Sequence, residues 1–534
     1  MTSAEPQSAS TRLDQPAEHD VVIFDARRRK LILASMCIAL VAVVASVSGL
    51  NVAQQALASD LNASQSQLLW IINGYTLALA ALLMPVGAIG DRWGRKPVLM
   101  IGLVFFSATN LASAFTTSPD ALIALRVLAG IGAAMIMPVT LSVITTSFPR
   151  EQQAKAIGTW AGFAGAGGII GLFASAAIID HATWPWVFAL PIALAAVSFV
   201  LAAAYVPHSV EHTAAGFDIA GSLLSAIAVG SLVLAFHEGP ERGWTDPVTV
   251  AAIAAGMIGA LVFVFVELRR DHPLLDVRIF ALRGLAAGSI NLFVVFAVMF
   301  ALFLVLVQYC QAVLGYSALK AASGLLPLAF MMMPLSTIAP TIAERVGFRR
   351  TVIAGMLLIA TGLVVFARLA DPAGGYMSVL PGILILGAGV GLAMSPSTAA
   401  ITTSLPEQKQ GVASALNDTV REMGGAVGIA LIGSILNSAY QSNIKPTTST
   451  LPPALASRVT EGIGGALSAA SQLGASGTPL IDAARHAFVE GMTPALLLAA
   501  SFAAAAAIYT ALRGPKTAAE AEALRETDES ATYL

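Results

Sequence analysis

Apolar residues run through this 534-residue chain in long unbroken stretches, not in the alternation of a half-buried strand. A bilayer core takes about 20 apolar residues per helix. Fourteen stretches are of that order: 31–55, 68–90, 98–115, 121–145, 156–179, 186–205, 219–236, 248–266, 285–308, 321–343, 351–367, 380–403, 411–436 and 493–512. The eleventh is short, and the fifth and thirteenth are rich in glycine. The pattern predicts an all-α polytopic membrane protein with fourteen transmembrane helices. An even number of crossings leaves both termini on one side.

Composition narrows the class. Hydrophobic residues make up 57% and charged residues 11%, where a soluble domain carries about 25% charge. So few charges cannot solvate several soluble domains, and a net charge of −2 offers no basic face for nucleic acid. Cys37 and Cys310 both lie inside apolar runs, which suits neither a disulfide framework nor a thiolate metal site. His208 and His212 are four apart, but in a loop beside Glu211 that reads as solvated, so no metal is expected. None of the seven lysines follows a glycine, which removes a phosphate-binding GK motif, and no nucleophile–base set stands out. The chain reads as a non-enzyme without a cofactor.

Charge placement sets orientation. With both termini inside, the cytoplasmic rim takes 22 of the 29 Lys and Arg residues, six fall outside, and Arg126 lies within the fourth span. That count places Arg421 at the rim. The bias matches the positive-inside rule. The polar first 26 residues precede an apolar run too long for a cleavable signal. The expected location is a bacterial-type inner membrane.

A shift of 257 residues lays 130–171 over 387–428 with thirteen of 42 positions identical, including Ile144–Ser147 on Ile401–Ser404 and Pro149 on Pro406. Gly167, Gly168 and Gly171 fall on Gly424, Gly425 and Gly428. Asp91-Arg-Trp-Gly94 is echoed by Glu344-Arg-Val-Gly347. The shift sets span four over span twelve, eight helices on and therefore in the same orientation. Parallel repeats of this kind build transporters with a substrate site at their interface. The expected organisation is a tail at 1–30, a six-helix bundle at 31–206, an inserted hairpin at 217–268, a second six-helix bundle at 285–512 and a tail at 513–534. An outer loop at 437–491 interrupts the second bundle.

Three features carry the candidate chemistry. The loop after span two reads Gly87-Ala-Ile-Gly-Asp-Arg-Trp-Gly-Arg-Lys-Pro-Val-Leu99. Asp91 there can pair with an Arg or with a helix N-terminus in one conformation and release it in another, so Gly87, Asp91, Arg92, Gly94, Arg95 and Lys96 form a gating candidate. Arg126 costs at least ~2.5 kcal/mol in a membrane and must find partners in the bundle interior; its position in the second copy is Ile383. The glycines of spans five and thirteen suit either close helix packing or a hinge between halves. Pro273–Phe280 reads as a short amphipathic helix at the interface.

The Gly87–Leu99 segment resembles the loop 2–3 signature of the major facilitator superfamily. Leu122–Arg126 with Gly130, Gly132 and Pro138 resembles that family's motif in span four. Fourteen spans, Gln311–Ser317, Leu326-Pro327, and Trp70 with Tyr75 are similar to the fourteen-helix drug:proton antiporter branch. The resemblance implies a major-facilitator fold and export of amphipathic, drug-like compounds against inward proton flow, by a monomer in the bilayer. The chain departs from the branch at two places: Ser46 stands where the branch has an Asp, aligned on Asn51-Val-Ala53 with Gln55 at a Pro position, and Leu172 follows Gly171 where a Pro is usual. The coupling group is then expected among Asp91, Asp418 and Glu422, and the cavity lining among Ser46, Asn51, Asn73, Tyr75, Asn291 and Gln311. The missing Asp leaves open a facilitator or importer of a neutral metabolite, and a non-transporting sensor or scaffold is the reading from another class.

Overall fold

The computed structural model describes residue 23 and residues 25–207, 217–449 and 451–515. Among these residues there is no strand, and fourteen helical spans are long and apolar enough to cross a membrane. They are α1 (Ala26–Gln54), α2 (Ser66–Trp93), α3 (Arg95–Phe115), α4 (Pro119–Ser147), α5 (Arg150–His181), α6 (Trp184–Tyr205) and α7 (Ile219–Arg242). Then follow α8 (Pro247–Glu267), α9 (Arg283–Val313), α10 (Ala318–Val346), α11 (Phe348–Leu369), α12 (Gly375–Thr402), α13 (Gln410–Thr448) and α14 (Thr478–Arg513). The sequence-based count of fourteen holds. His208 and His212 lie outside the described residues.

Local chemistry sets the helix ends. Ser64 and Gln67 close a capping box ahead of α2, and Ser118 caps α4 with Pro119 in its first turn, where a missing N–H costs nothing. Gly94 (φ 98°) joins α2 to α3 and Gly347 (φ 94°) joins α10 to α11. Both lie in the region that favours glycine, so the echo of Asp91–Gly94 in Glu344–Gly347 is a repeated bend.

The same helix pairs meet in each half. In the first bundle α1 packs on α5 and α6, α2 on α4, and α3 on α4 and α6. In the second α9 packs on α13 and α14, α10 on α12, and α11 on α12 and α14. Every pair is the other shifted by eight spans. One hydrogen-bond set repeats residue by residue. Gln153 Nε2 donates to the carbonyls of Thr145 and Phe148, and Gln410 Nε2 to those of Thr402 and Leu405. Each pair of positions is 257 apart, so one amide ties the end of α4 to α5 and its copy ties α12 to α13. The helices that expose large apolar side chains, such as Ile101 and Phe115 on α3, Leu261 and Phe265 on α8 and Leu357 on α11, form the lipid-facing wall.

Between bundles, α5 lies on α10 and α12, and α13 lies on α2 and α4. The six glycines that α5 and α13 share pack mainly within bundles: Gly171 on Ala45 of α1, Gly428 on Ala297 of α9, Gly424 on Phe293. The close approach between halves uses other glycines. Gly158, Gly162 and Gly165 of α5 face Ser336, Met333 and Met332 of α10, and Ser336 Oγ donates to the Gly158 carbonyl at 3.0 Å.

The inserted hairpin breaks the symmetry. Its first arm, α7, packs on α8 and reaches both α2 and α13, so it covers one of the two seams between bundles. Ala80, Val233 and Ala426 meet there with Leu77, Val229, Phe236 and Met423 around them.

Two expectations are corrected. The outer loop expected at 437–491 is largely helix: α13 continues to Thr448, Pro453–Glu461 and Ile463–Gln472 are short helices, and α14 begins at Thr478. Tyr440, Phe488 and Met492 are buried there, so this end of the second bundle has an apolar core of its own. In the segment expected to be an amphipathic helix at 273–280, only Val277–Ala281 is helical, as a 3₁₀ turn that Asp276 caps.

A Cβ on Gly171 or on Gly428 would lie 2.5 Å from the Cα of Ala45 or Ala297. Gly171→Leu and Gly428→Leu should each cost about 1–3 kcal/mol through overpacking, read as a lower melting temperature in detergent. Gly464→Ala, which meets nothing within 4 Å, should leave it unchanged. Tolerance at both packed glycines would contradict the close packing described.

Candidate functional site

The start of α1 and the 91–96 turn lie on one face of the molecule, its basic face. Asp91 ends α2 there and is 9% exposed. Its Oδ1 accepts from the Gly411 amide at 2.8 Å and its Oδ2 from the Val412 amide at 3.1 Å. These amides open α13, so the carboxylate caps the helix that begins the facing seam of the second bundle. An anion at a helix N-terminus is bound by unpaired N–H groups and by the helix dipole together. Arg95, 4% exposed, adds an ion pair to Asp91 Oδ1 at 3.2 Å. Contact is close enough that Gly87 faces Gly411 backbone to backbone: a Cβ on Gly87 would lie 2.5 Å from the Gly411 carbonyl oxygen and 2.7 Å from the Ala415 Cβ.

The other motif residues do different work. Lys96 Nζ donates to the carbonyls of Ala203 and Val206 at 2.9 and 2.8 Å, ending α6 rather than touching the seam. Gly94 supplies the bend, and Arg92 is exposed. The echo residue Glu344 is exposed, so the latch exists at one seam and not at its copy.

Arg126 lies about two turns inside α4 and is fully buried. Its Nη1 donates to Ser46 Oγ at 2.9 Å, its Nη2 to the Ser46 carbonyl at 3.2 Å and its Nε to the Ile71 carbonyl at 3.3 Å. The guanidinium also stands 4.3 Å from the centre of the Tyr75 ring, and the Tyr75 hydroxyl donates to the Val43 carbonyl at 3.0 Å. Ser46 Oγ donates onward to Asn110 Oδ1 at 3.1 Å. Among the described residues no carboxylate pairs with Arg126; a hydroxyl, two carbonyls and a ring carry its charge. Ser46, the departure from the family pattern, is therefore the residue facing the buried arginine. Asn110 was not a candidate, though an Asn in the apolar run of α3 is the kind of signal that finds such a residue.

A third group lies on α13. Asp418 is buried and its Oδ1 accepts from Arg421 Nη1 at 3.0 Å and Asn417 Nδ2 at 3.1 Å. Arg421 is 3% exposed and lies over the rings of Phe296 at 4.5 Å and Trp160 at 5.3 Å. Trp160 is itself held by its Nε1 donating to Thr140 Oγ1 at 3.1 Å. Because α13 begins at Gln410, Glu422 is about 18 Å along its axis. Arg421, Asp418 and Glu422 are thus deep in the bundle, not near the rim where the sequence reading put them.

Glu422 and Arg421 line a cavity of about 60 Å³ between the bundles. Its walls include Val44 and Ser48 of α1, Thr76 of α2, Gly168 of α5, and Phe296, Phe300 and Phe303 of α9. Phe300 stands 6.1 Å from Phe296 and 6.3 Å from Phe303, centre to centre. Drug-sized sites span about 300–1,000 Å³, so this cavity must widen to hold such a ligand. The phenylalanines sit at helical spacing, a pattern that sequence alone assigns to core.

The expected cavity lining fares unevenly. Ser46 and Tyr75 join the Arg126 network. Asn51 is exposed, and its Nδ2 reaches only the Val47 carbonyl of its own helix at 3.4 Å. Asn73 is half-buried and off the cavity wall, where Thr76 stands instead. Asn291 is buried inside the second bundle, its Nδ2 donating to Thr510 Oγ1 of α14 at 2.7 Å. Gln311 is exposed on a π-helical turn, Tyr309–Val313, at the far end of α9.

Two six-helix bundles related by repetition, joined at one end by a buried carboxylate and holding a charged cavity between them, have the form of a secondary transporter. Comparison agrees. The model of the Major Facilitator Superfamily matches residues 36–429, and the chain belongs to that family. The multidrug efflux pump LfrA of Mycolicibacterium smegmatis is 31% identical over 461 residues, 86% of this chain and 91% of that one. The methyl viologen resistance protein SmvA of Salmonella typhimurium is 30% identical over 481 residues, 89% and 96% of the two chains. Among solved structures, the proton:xylose symporter XylE superposes with a TM-score of 0.60 at 14% identity, covering 94% of this chain and all of that one.

Ser46→Ala should leave Arg126 Nη1 without its side-chain acceptor and cost about 1–3 kcal/mol, whereas Ser46→Asp should supply the missing counter-charge and raise the melting temperature. Thermal unfolding of the purified variants reads both. An equal loss in both would contradict the account of Arg126.

Proposed function

We propose that the protein exports drug-like or lipid-like amphipathic compounds from the cell by alternating access, driven by proton entry. The observation that carries this reading is Glu422 on the wall of the inter-bundle cavity, beside a row of phenylalanines and three turns from the Asp91 latch. An acidic group amid aromatic rings attracts the cationic end of an amphiphile while the rings take its apolar body. The same carboxyl, or Asp418 across Arg421, exchanges a proton as the substrate leaves. Relatives named for multidrug efflux and for methyl viologen resistance support export. The positive-inside bias puts the basic face and both chain ends in the cytoplasm of an inner membrane, so the latch closes the cytoplasmic side. The working unit is a monomer with the proton gradient as its energy source and no cofactor.

The second reading, a facilitator of a neutral metabolite, draws on Ser46, which leaves the first bundle without its usual acid. Transport in proteoliposomes with a panel of cationic dyes separates the two. The exporter should show flux that rises with an imposed ΔpH and falls at least tenfold in Glu422→Gln. Arg126→Ala should abolish flux with membrane insertion intact. Flux indifferent to ΔpH and to Glu422→Gln would overturn the exporter and leave the facilitator.

A further inference from the structure

The inserted hairpin ends at the basic face in a pair of acids that no role above uses. Asp218 caps α7, its Oδ1 accepting from the Gly221 amide at 2.8 Å, and Glu267 is the last residue of α8. They are 7% and 1% exposed. Asp218 Oδ2 and Glu267 Oε1 are both buried without a hydrogen-bond donor. They converge on one point: a Cβ built on Gly221 would overlap Glu267 Oε1 and lie 2.8 Å from Asp218 Oδ2. Both oxygens therefore face the same small gap beside Gly221, and a proton carried by Glu267 would give each of them a partner.

From this pair a line of hydrogen bonds runs to the latch. Glu267 Oε2 accepts from the Leu275 amide at 3.0 Å, which fixes the loop after α8. The carbonyl of Pro273 in that loop accepts from Lys409 Nζ at 2.9 Å. Lys409 precedes Gln410, Gly411 and Val412, whose last two amides hold Asp91. Behind the loop lies a cavity of about 560 Å³, lined by Met84 of α2, Leu416 of α13, Val229 and Phe263 of the hairpin, and Leu275. The loop is thus held by these two hydrogen bonds and by the buried side chains of Leu274 and Leu275 at the edge of that cavity. The charged groups around the pair are Arg270, 3.9 Å from Asp218, Lys409 from the approach to α13, and Asp271, His272, Asp276 and Arg278 along the loop itself.

We propose that Asp218 and Glu267 form a protonation site that shares one proton, and that this proton holds the hairpin loop and thereby the Asp91 latch. The bound state is one carboxylic acid donating to the facing carboxylate. Release of the proton to water leaves two facing carboxylates, which part. The loop then moves, Lys409 loses the Pro273 carbonyl, and the start of α13 is freed from Asp91. Acid at the basic face closes the seam and alkali opens it. The inference rests on the Asp91 contact being the gate.

The test is the distance between spin labels at Trp93→Cys and Gln408→Cys, on the two sides of the seam, in full-length protein in nanodiscs with Cys37 and Cys310 replaced by Ala. In the parent, the short-distance population should fall about fivefold or more from pH ~6.5 to pH ~9, a coupling of ordinary size. Glu267→Gln can still accept from Leu275 while its amide donates to Asp218, so it imitates the shared proton. Asp218→Asn does the same in reverse and keeps the cap. Both variants should hold the short population within about twofold over that range. A parent that does not titrate, or either variant titrating like the parent, would overturn the proposal, and Asp218→Asn decides if Glu267→Gln does not fold. Asp91→Asn should give the long distance at every pH; if it stays short, the gate reading fails instead.

Discussion

A carboxylate at the end of one helix, held by the first free amides of another, joins the two halves of this molecule. Asp91 belongs to the first bundle and Gly411 and Val412 to the second, and apart from the Arg95 ion pair the bonds are to backbone. Bonds of this sort are strong because donor groups at a helix start have no other partner, yet they break as a unit when the helix moves. The rest of the seam suits such a contact. Gly87 and Gly411 allow the backbones to meet, and α7 covers the joint from the lipid side. The other seam is held differently, by the close approach of the α5 glycines to α10 and by the Ser336–Gly158 hydrogen bond.

The second constraint is the cost of charge inside a membrane. Arg126, Asp418, Arg421 and Glu422 are charges well inside their spans, and they are accommodated in three ways. Asp418 and Arg421 neutralise each other, with Arg421 also resting on aromatic faces. Arg126 has only dipoles and the ring of Tyr75. Glu422 is left facing the cavity. The first bundle thus carries a buried positive centre and the second a carboxylate on the cavity wall.

Much of the fold was legible because membranes impose it. Span count came from length of apolar run, and the pseudo-symmetry from thirteen matches that include Gln153 and Gln410, which make the same bonds in both copies. The Asp91 motif was legible as a carboxylate that pairs with an Arg or a helix start, but not which helix, since an amide has no sequence signature. Side-chain direction was the main loss. Asn51, Asn291 and Gln311 are polar residues in apolar spans, yet each settles locally: on its own helix, on Thr510, or in the water-facing end of α9. The aromatic wall was hidden for the converse reason, because phenylalanines at helical spacing read as core whether they face a core or a cavity. Helix beyond Leu436 was missed because its sequence is polar enough to resemble a loop, whereas Tyr440, Ile444, Phe488 and Met492 are buried there and the Tyr440 hydroxyl donates to the Val459 carbonyl.

The claim on which these arguments turn is that Asp91 binds the start of α13. Hydrogen exchange of the Gly411 and Val412 amides measures this directly. In Asp91→Asn, which removes the charge and keeps the shape, the two amides should lose protection by about tenfold or more, the equivalent of a charged hydrogen bond, while amides in mid-α13 are unchanged. Equal protection in parent and variant would contradict the latch.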